Sequence, residues 1–273
     1  MTMRAYTVAE VCQEHNLSRQ AYYKHSQSSQ RREKDNARVV ALVQGFRRRQ
    51  PMVGGRKLHR MLQSQAEYPL GRDRLFALLR EHGLLIRRKK KYARTTNSLH
   101  RFRTYNNLIK ALALTRPEQV VVADITYIAT REGFSYLALL TDAYSRKIVG
   151  YDLSTSLSIE GSLRALRMAL KTMKNPSGLI HHSDRGIQYC SHSYVQLLQT
   201  HHVHISMAAQ GNVYENALAE RVNGILKMEF ILDQTFPAHR EAQQAVHEAI
   251  EIYNKERLHL SLNYLTPAQK HAA

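Results

Sequence analysis

Residues 120–128 read Val120-Val121-Val122-Ala123-Asp124-Ile125-Thr126-Tyr127-Ile128. β-branched side chains dominate, and the apolar run is nearly continuous, as in a strand covered on both faces. Asp124 interrupts it. A charge in mid-strand is costly unless it is paired or binds a cation. Downstream, residues 134–141 and 147–153 read as two further strands spaced like hairpins, the latter pair joined by Asp142-Ala143-Tyr144-Ser145. Residues 158–173 predict a helix, with Leu163, Leu166, Leu170 and Met173 on one side. A short strand at 179–182, a helix at 193–200, a strand at 203–207, a long helix from 213 to about 231 and another at 241–254 follow. Three antiparallel strands and then alternating helices and strands give a mixed sheet with helices on both faces, an α/β domain.

Upstream the texture is different. Of 40 Lys and Arg, 25 lie in residues 1–115, against 7 of the 22 acidic residues, so the net charge of +18 resides almost wholly there. Core packing does not demand that asymmetry; a basic module bound to a polyanion does. Residues 7–14 predict a helix broken at His15-Asn16-Leu17, and Ser18 caps a second one at 19–25 carrying Arg19, Gln20 and Lys24. That is helix-turn-helix geometry. A separate helix is expected at about 33–49. Gly54-Gly55-Arg56-Lys57 opens another, and Gly71 precedes a helix carrying Arg72 and Arg74 that ends at Gly83. This is a second candidate helix-turn-helix. Arg87, Arg88, Lys89, Lys90 and Lys91 form the densest basic run, and residues from about 87 to 116 read as an extended linker or arm. The domain division expected is therefore 1–50, 51–90, a basic linker at 91–116 and a core at 117–273.

Composition excludes several classes. No run of about eighteen apolar residues exists, so a membrane span is not expected. The acidic, apolar-poor start is not a signal peptide. Cys12 and Cys190 are the only cysteines. They form neither a disulfide framework nor a zinc site, so a reducing cytoplasm is the expected setting.

Two further acids stand with Asp124. Asp184 ends a predicted strand in His181-His182-Ser183-Asp184-Arg185-Gly186. Glu220 shares one face of the long helix with Asn216, Asn223 and Lys227, at helical spacing. Clustered carboxylates repel, and a divalent ion relieves them. On the residues alone a plainer reading stays open: a buried strand Asp is often just paired to an Arg, and a polar helical stripe is usually a solvated face. Asp142, Asp152, Glu215 and Glu229 compete as acids, while His181 and His182 are either ligands or packing groups.

The local motifs carry a resemblance. Residues 122–128, His182 to Tyr189, Glu215 through Lys227, the tail Tyr253-Asn254 with Arg257, His259 and Leu262 to Pro267, together with Gly55-Arg56-Lys57 and Leu79 to Leu84, resemble bacterial insertion-sequence transposases of the IS-three family. Thirty-five residues lie between Asp184 and Glu220, the spacing of DDE integrases and transposases. The match resembles the second-frame catalytic subunit and covers nearly the whole chain. It implies a ribonuclease-H-like integrase core, a mixed five-stranded sheet with flanking helices, behind an all-helical helix-turn-helix DNA-binding region. It implies a DDE polynucleotidyl transferase that cleaves 3′ ends and transfers strands at element ends, in DNA transposition, integration and recombination. Asp124, Asp184 and Glu220 would be the catalytic triad and would ligate two Mg2+ ions, with Mn2+ as substitute. Lys227 would contact DNA near the terminal nucleotides, and Asn216 and Asn223 are placed with it among the DNA contacts. The partners implied are double-stranded DNA (terminal inverted repeats and target), a homo-oligomer and the upstream-frame subunit, in the bacterial cytoplasm at the nucleoid. A DNA-binding regulator with a silent core is the competing reading. A retroviral-type integrase would want an N-terminal His/Cys zinc site, which two isolated cysteines do not supply.

Overall fold

A computed structural model describes residues 6–65, 68, 70–86, 102–173, 175–209 and 216–273. The basic run at 87–91 and Glu215 lie outside the described residues. The chain divides into two compact units, one of residues 1–48 with 54–86 and one of 49–53 with 87–273.

In the first unit, helix α1 spans Val8–Glu14, closed at its start by a capping box between Thr7 and Glu10. Asn16 takes a left-handed φ of 54° and turns the chain into α2, Arg19–Arg49. The two helices expected at 19–25 and 33–49 are thus one helix of 31 residues. The stretch Ser26 to Arg32 lacks an apolar period, but it also lacks glycine and proline. Gln, Arg and Lys are good helix formers, so nothing stops propagation there. Only Val39 and Val43 of α2 are buried. Helix α3, Gly55–Gln63, and α4, Arg72–Glu81, pack together through Leu58, Leu62, Leu75, Leu78 and Leu79. A methyl group on Gly55 would meet the Phe76 ring at 2.7 Å, so glycine opens α3 because α4 is that close. Gly83, at φ 65°, ends α4 in the left-handed conformation that its missing Cβ permits.

The second unit is built on one five-stranded sheet of order β3-β2-β1-β4-β5. Strand β1 is Val120–Thr130, β2 Gly133–Asp142 and β3 Ile148–Ser154, paired antiparallel in sequence. Strands β4, Ile180–Ser183, and β5, His204–Met207, add in parallel on the other side of β1. β1 is therefore central, which explains why Val120 to Ala123 are all at most 2% exposed. One apolar layer joins Val121, Ala123 and Leu140 to α5, Ile159–Thr172, to α6, Ile187–Cys190, and to α7, His192–Thr200. Another joins Ile128, Leu137 and Leu139 to α8, Ala217–Glu229, and α9, His239–Lys255. Each fully buried Leu or Ile in these layers contributes about 1.5–3 kcal/mol relative to exposure. A 3-10 turn, Leu260–Leu262, and α10, Pro267–Ala272, complete the tail. This is the ribonuclease-H-like integrase core, preceded by a helical region.

Two expectations are altered by packing. Residues 102–116, read as an arm, lie against the sheet. Leu108 N donates to Ser206 Oγ at 2.9 Å, and Ile109 and Leu114 pack on Val120 and Val122. The apolar residues scattered through that polar stretch are what the sheet holds. The described part of the long helix is Ala217–Glu229, ending short of the expected 231, where Ile231 turns left-handed at φ 59°; residues 213–215 lie outside the described residues.

Candidate active site

β1 delivers Asp124. Because β4 pairs with β1 in parallel, with Ala123 opposite Ser183, the chain brings Asp184 alongside Asp124 as β4 ends. Asp184 is held there by its own turn: Gly186 N donates to Asp184 Oδ1 at 2.9 Å. A methyl group on Gly186 would sit 2.9 Å from that oxygen, so the turn needs glycine.

Helix α8 crosses this point and brings the third acid. Its buried side carries Ala219, Val222, Asn223, Ile225 and Leu226, and Glu220 is exposed beside them. Asn223 Nδ2 donates to Asp124 Oδ2 at 2.7 Å, and Ile125 N donates to Oδ1 at 2.9 Å. Even so, the Asp124 carboxyl is pushed up to about 7. Burial is the main cause, Asp184 adds to it, the bonds from Asn223 and Ile125 oppose it, and Glu220 raises it further. Asp124 thus feels both of the other acids. Lys227, further along α8, stands 4.2 Å over the Tyr127 ring. Burial lowers its pKa, while Asp124 and Asp233 act to raise it.

The donors offered here are carboxylate and amide oxygens, the hard set that suits magnesium, manganese or calcium. The Oδ1 atoms of Asn216 and Asn223 are buried without a hydrogen-bond partner among the described residues. Among the described residues no three His, Cys, Asp or Glu side chains stand close enough together to hold a metal ion. An ion held by these acids would need waters and phosphate oxygens to complete its shell, as magnesium commonly does.

Two models of the integrase core domain match the chain, over residues 115–213 and 201–267. A 31 kDa protein of insertion element IS600 from Shigella sonnei is 38% identical over 94% of this chain and 96% of its own length. The transposase InsF of insertion sequence IS3A from Escherichia coli strain K12 is 31% identical over 97% of this chain and 93% of its own. The chain belongs to the IS3 family of insertion-sequence transposases. A chain of the simian T-cell lymphotropic virus intasome shares the fold at a TM-score of 0.52 and 17% identity, covering 81% of this chain and 71% of that one.

The remaining candidates of this IS3-family chain fall into separate groups. Asn216 and Asn223, expected among DNA contacts, are both buried. Asn223 holds Asp124, and Asn216 Nδ2 points to Ala123 O at 3.5 Å. Both amides turn toward β1, which receives Asn223 at the Asp124 carboxylate and Asn216 at the Ala123 carbonyl. Arg19, Gln20, Lys24, Arg56, Arg72 and Arg74 are exposed, and Arg72 pairs with Asp73 at 2.9 Å. Lys57 is only 7% exposed, so it lies inward of Arg56.

Three of the competing acids have structural partners, and Glu215 lies outside the described residues. Arg164 grips Asp152 with two bonds of 2.8 and 2.9 Å. The buried Arg257 holds Glu229 in the same way at 2.9 and 2.7 Å. Asp142 takes bonds from Ser145 and from Glu118 N. His181 and His182 are packing groups bonded to Tyr194 and Ser206. Sequence reading did not single out Tyr127 or the buried Tyr189. The motif His182 to Tyr189 contained the latter, but a tyrosine after a turn carries no signal of direction.

Proposed function

We propose that this chain is the polynucleotidyl transferase of its insertion element, cutting DNA at the element's ends and joining the freed 3′ ends to target DNA. Asp124, Asp184 and Glu220 would hold two divalent cations, magnesium ordinarily and manganese in its place. Bound there, such ions supply an activated oxygen nucleophile and stabilise the leaving 3′-oxygen in an in-line displacement at phosphorus.

The protein's own residues supply orientation. Asn223 and Ile125 N fix both oxygens of Asp124. Gly186 N fixes one oxygen of Asp184. Lys227 sets a cation beside the acids, where the backbone of a bound DNA end would meet it. The exposed bases of the helical unit, Arg19, Lys24, Arg56, Arg72 and Arg74, would neutralise phosphates, with Gln20 beside them and the 87–91 run adding to them. Synapsis of two ends calls for an oligomer on DNA, with the upstream-frame subunit as a further partner.

The observation that carries this reading is geometric: parallel pairing of β1 and β4 sets Asp124 and Asp184 at neighbouring positions, and α8, which carries Glu220, reaches Asp124 through Asn223. A merely structural acid would be tied down by donors or by a cation, as Asp142, Asp152 and Glu229 are. The test is a nicking and joining assay on labelled DNA bearing the element's end, with magnesium and with EDTA. Glu220→Gln and EDTA should each remove at least about a thousandfold of the rate. A variant that still nicks at the wild-type rate refutes the assignment. DNA binding without nicking by the wild-type chain would favour the regulator reading.

A further inference from the structure

Under the acid pair lies a cluster of buried aromatic rings that the proposed chemistry does not use. Tyr189 of α6 is 3% exposed and Tyr194 of α7 is fully buried. Their rings meet edge to face at 5.4 Å, with His181 5.4 Å from Tyr194 and 6.0 Å from Tyr189. The two hydroxyls differ. Tyr194 Oη is 2.9 Å from His181 Nε2. Tyr189 Oη is buried with no partner among the described residues. A buried hydroxyl without a partner is costly, and native structures seldom leave one without a reason.

Its location supplies the reason. Tyr189 N bonds to Gly186 O at 3.0 Å, so one turn of chain joins Asp184 to Tyr189. A methyl group on Gly186 would meet Asp184 Oδ1 at 2.9 Å and Tyr189 Cδ2 at 3.5 Å. The carboxylate, the Gln188 side-chain oxygen and the near edge of the ring thus border the same glycine. Burial, then Tyr194, Asp124 and Asp184, hold the phenol well above the ordinary tyrosine value, so it remains an O–H donor at any working pH.

We propose that Tyr189 is a positioning residue whose hydroxyl donates a hydrogen bond to Asp184 when that carboxylate holds a divalent cation, fixing its orientation toward the ion. The inference rests on the proposed role of Asp184 as a cation ligand. Ligand carboxylates are commonly held by such outer bonds, and removing one weakens metal binding by about 10–100-fold.

The experiment compares wild type, Tyr189→Phe and Tyr194→Phe. Each is melted without metal and with increasing MgCl2, and each is assayed for nicking across the same range. Tyr189→Phe keeps the ring and removes only the hydroxyl. It should melt at or above the wild-type temperature without metal, yet need about tenfold more Mg2+ for the same upshift and for half-maximal nicking. Tyr194→Phe loses its bond to His181, so it should melt lower and keep the wild-type Mg2+ requirement. A wild-type Mg2+ requirement in Tyr189→Phe overturns the proposal, and so does a lowered melting temperature there with unchanged Mg2+ dependence. A wild-type chain that neither nicks nor gains stability with Mg2+ overturns the reading of the acids themselves, and is seen without either variant.

Discussion

Asp124 and Asp142 are buried aspartates on adjacent strands of one sheet, three register positions apart, since Val121 faces Asp142 and Asp124 faces Leu139. Asp142 is 0% exposed. Its Oδ1 accepts from Ser145 N at 2.7 Å and Ser145 Oγ at 2.6 Å, and its Oδ2 from Glu118 N at 2.7 Å, with His271 Nδ1 3.8 Å away. Burial pushes its carboxyl up, but the bonds from His271, Ser145 and Glu118 outweigh that and hold it below the usual range. Asp124 has two donors and two neighbouring acids, and rises to about 7. Burial is common to both. The company each keeps is not: donors tie down a corner of the fold, while like charges leave a demand for a cation.

The contrast can be broken by mutation. Asp124→Asn should lower nicking by about a thousandfold or more while the metal-free protein stays as stable as wild type or gains stability, measured by urea unfolding. Asp142→Ala should do the reverse. Two backbone N–H groups and a hydroxyl lose their acceptor, so unfolding free energy should drop by about 3–5 kcal/mol. Full nicking by the first variant or unchanged stability in the second would erase the distinction.

Acid–base linkage should give the two residues opposite slopes. The folded Asp124 carboxyl binds a proton more tightly than the unfolded one, so metal-free stability should fall as pH rises from 3.8 to about 7. Asp142 is depressed, so its contribution is full above the unfolded value of 3.8 and is lost as pH drops through its folded value. Stability of the metal-free chain against pH, repeated in Asp124→Asn and Asp142→Asn, reads each arm separately. The first variant should flatten the upper arm and the second the acid arm. At the small end, Ser145→Ala removes one donor from Asp142 and should cost about 1.5 kcal/mol with no change in nicking per folded molecule.

Much of this was legible beforehand in residues whose signals are local. β-branched runs marked β1, and helical periodicities marked α5 and α8. Gly83 marked the end of α4, and the motifs around Asp124, Asp184 and Glu220 carried the family. Asp142 read as a turn residue, because its donors come from Glu118 and Ser145, and only Ser145 belongs to that turn. α2 read as two helices because an apolar period lapsed, although helix propagation needs only the absence of a breaker.

By itself, the sequence determined the order of strands in the core, the basic character of the first 115 residues and which acids are candidates, since these follow from side-chain chemistry and short-range spacing. Tertiary structure decided which groups meet. Parallel pairing of β4 on β1 put Asp184 beside Asp124, and docking of α8 turned Asn223 inward onto that carboxylate. The turn at Gly186 set Asp184 Oδ1 and the edge of the Tyr189 ring around one glycine. Such encounters join residues up to a hundred positions apart, and no periodicity in the chain encodes them.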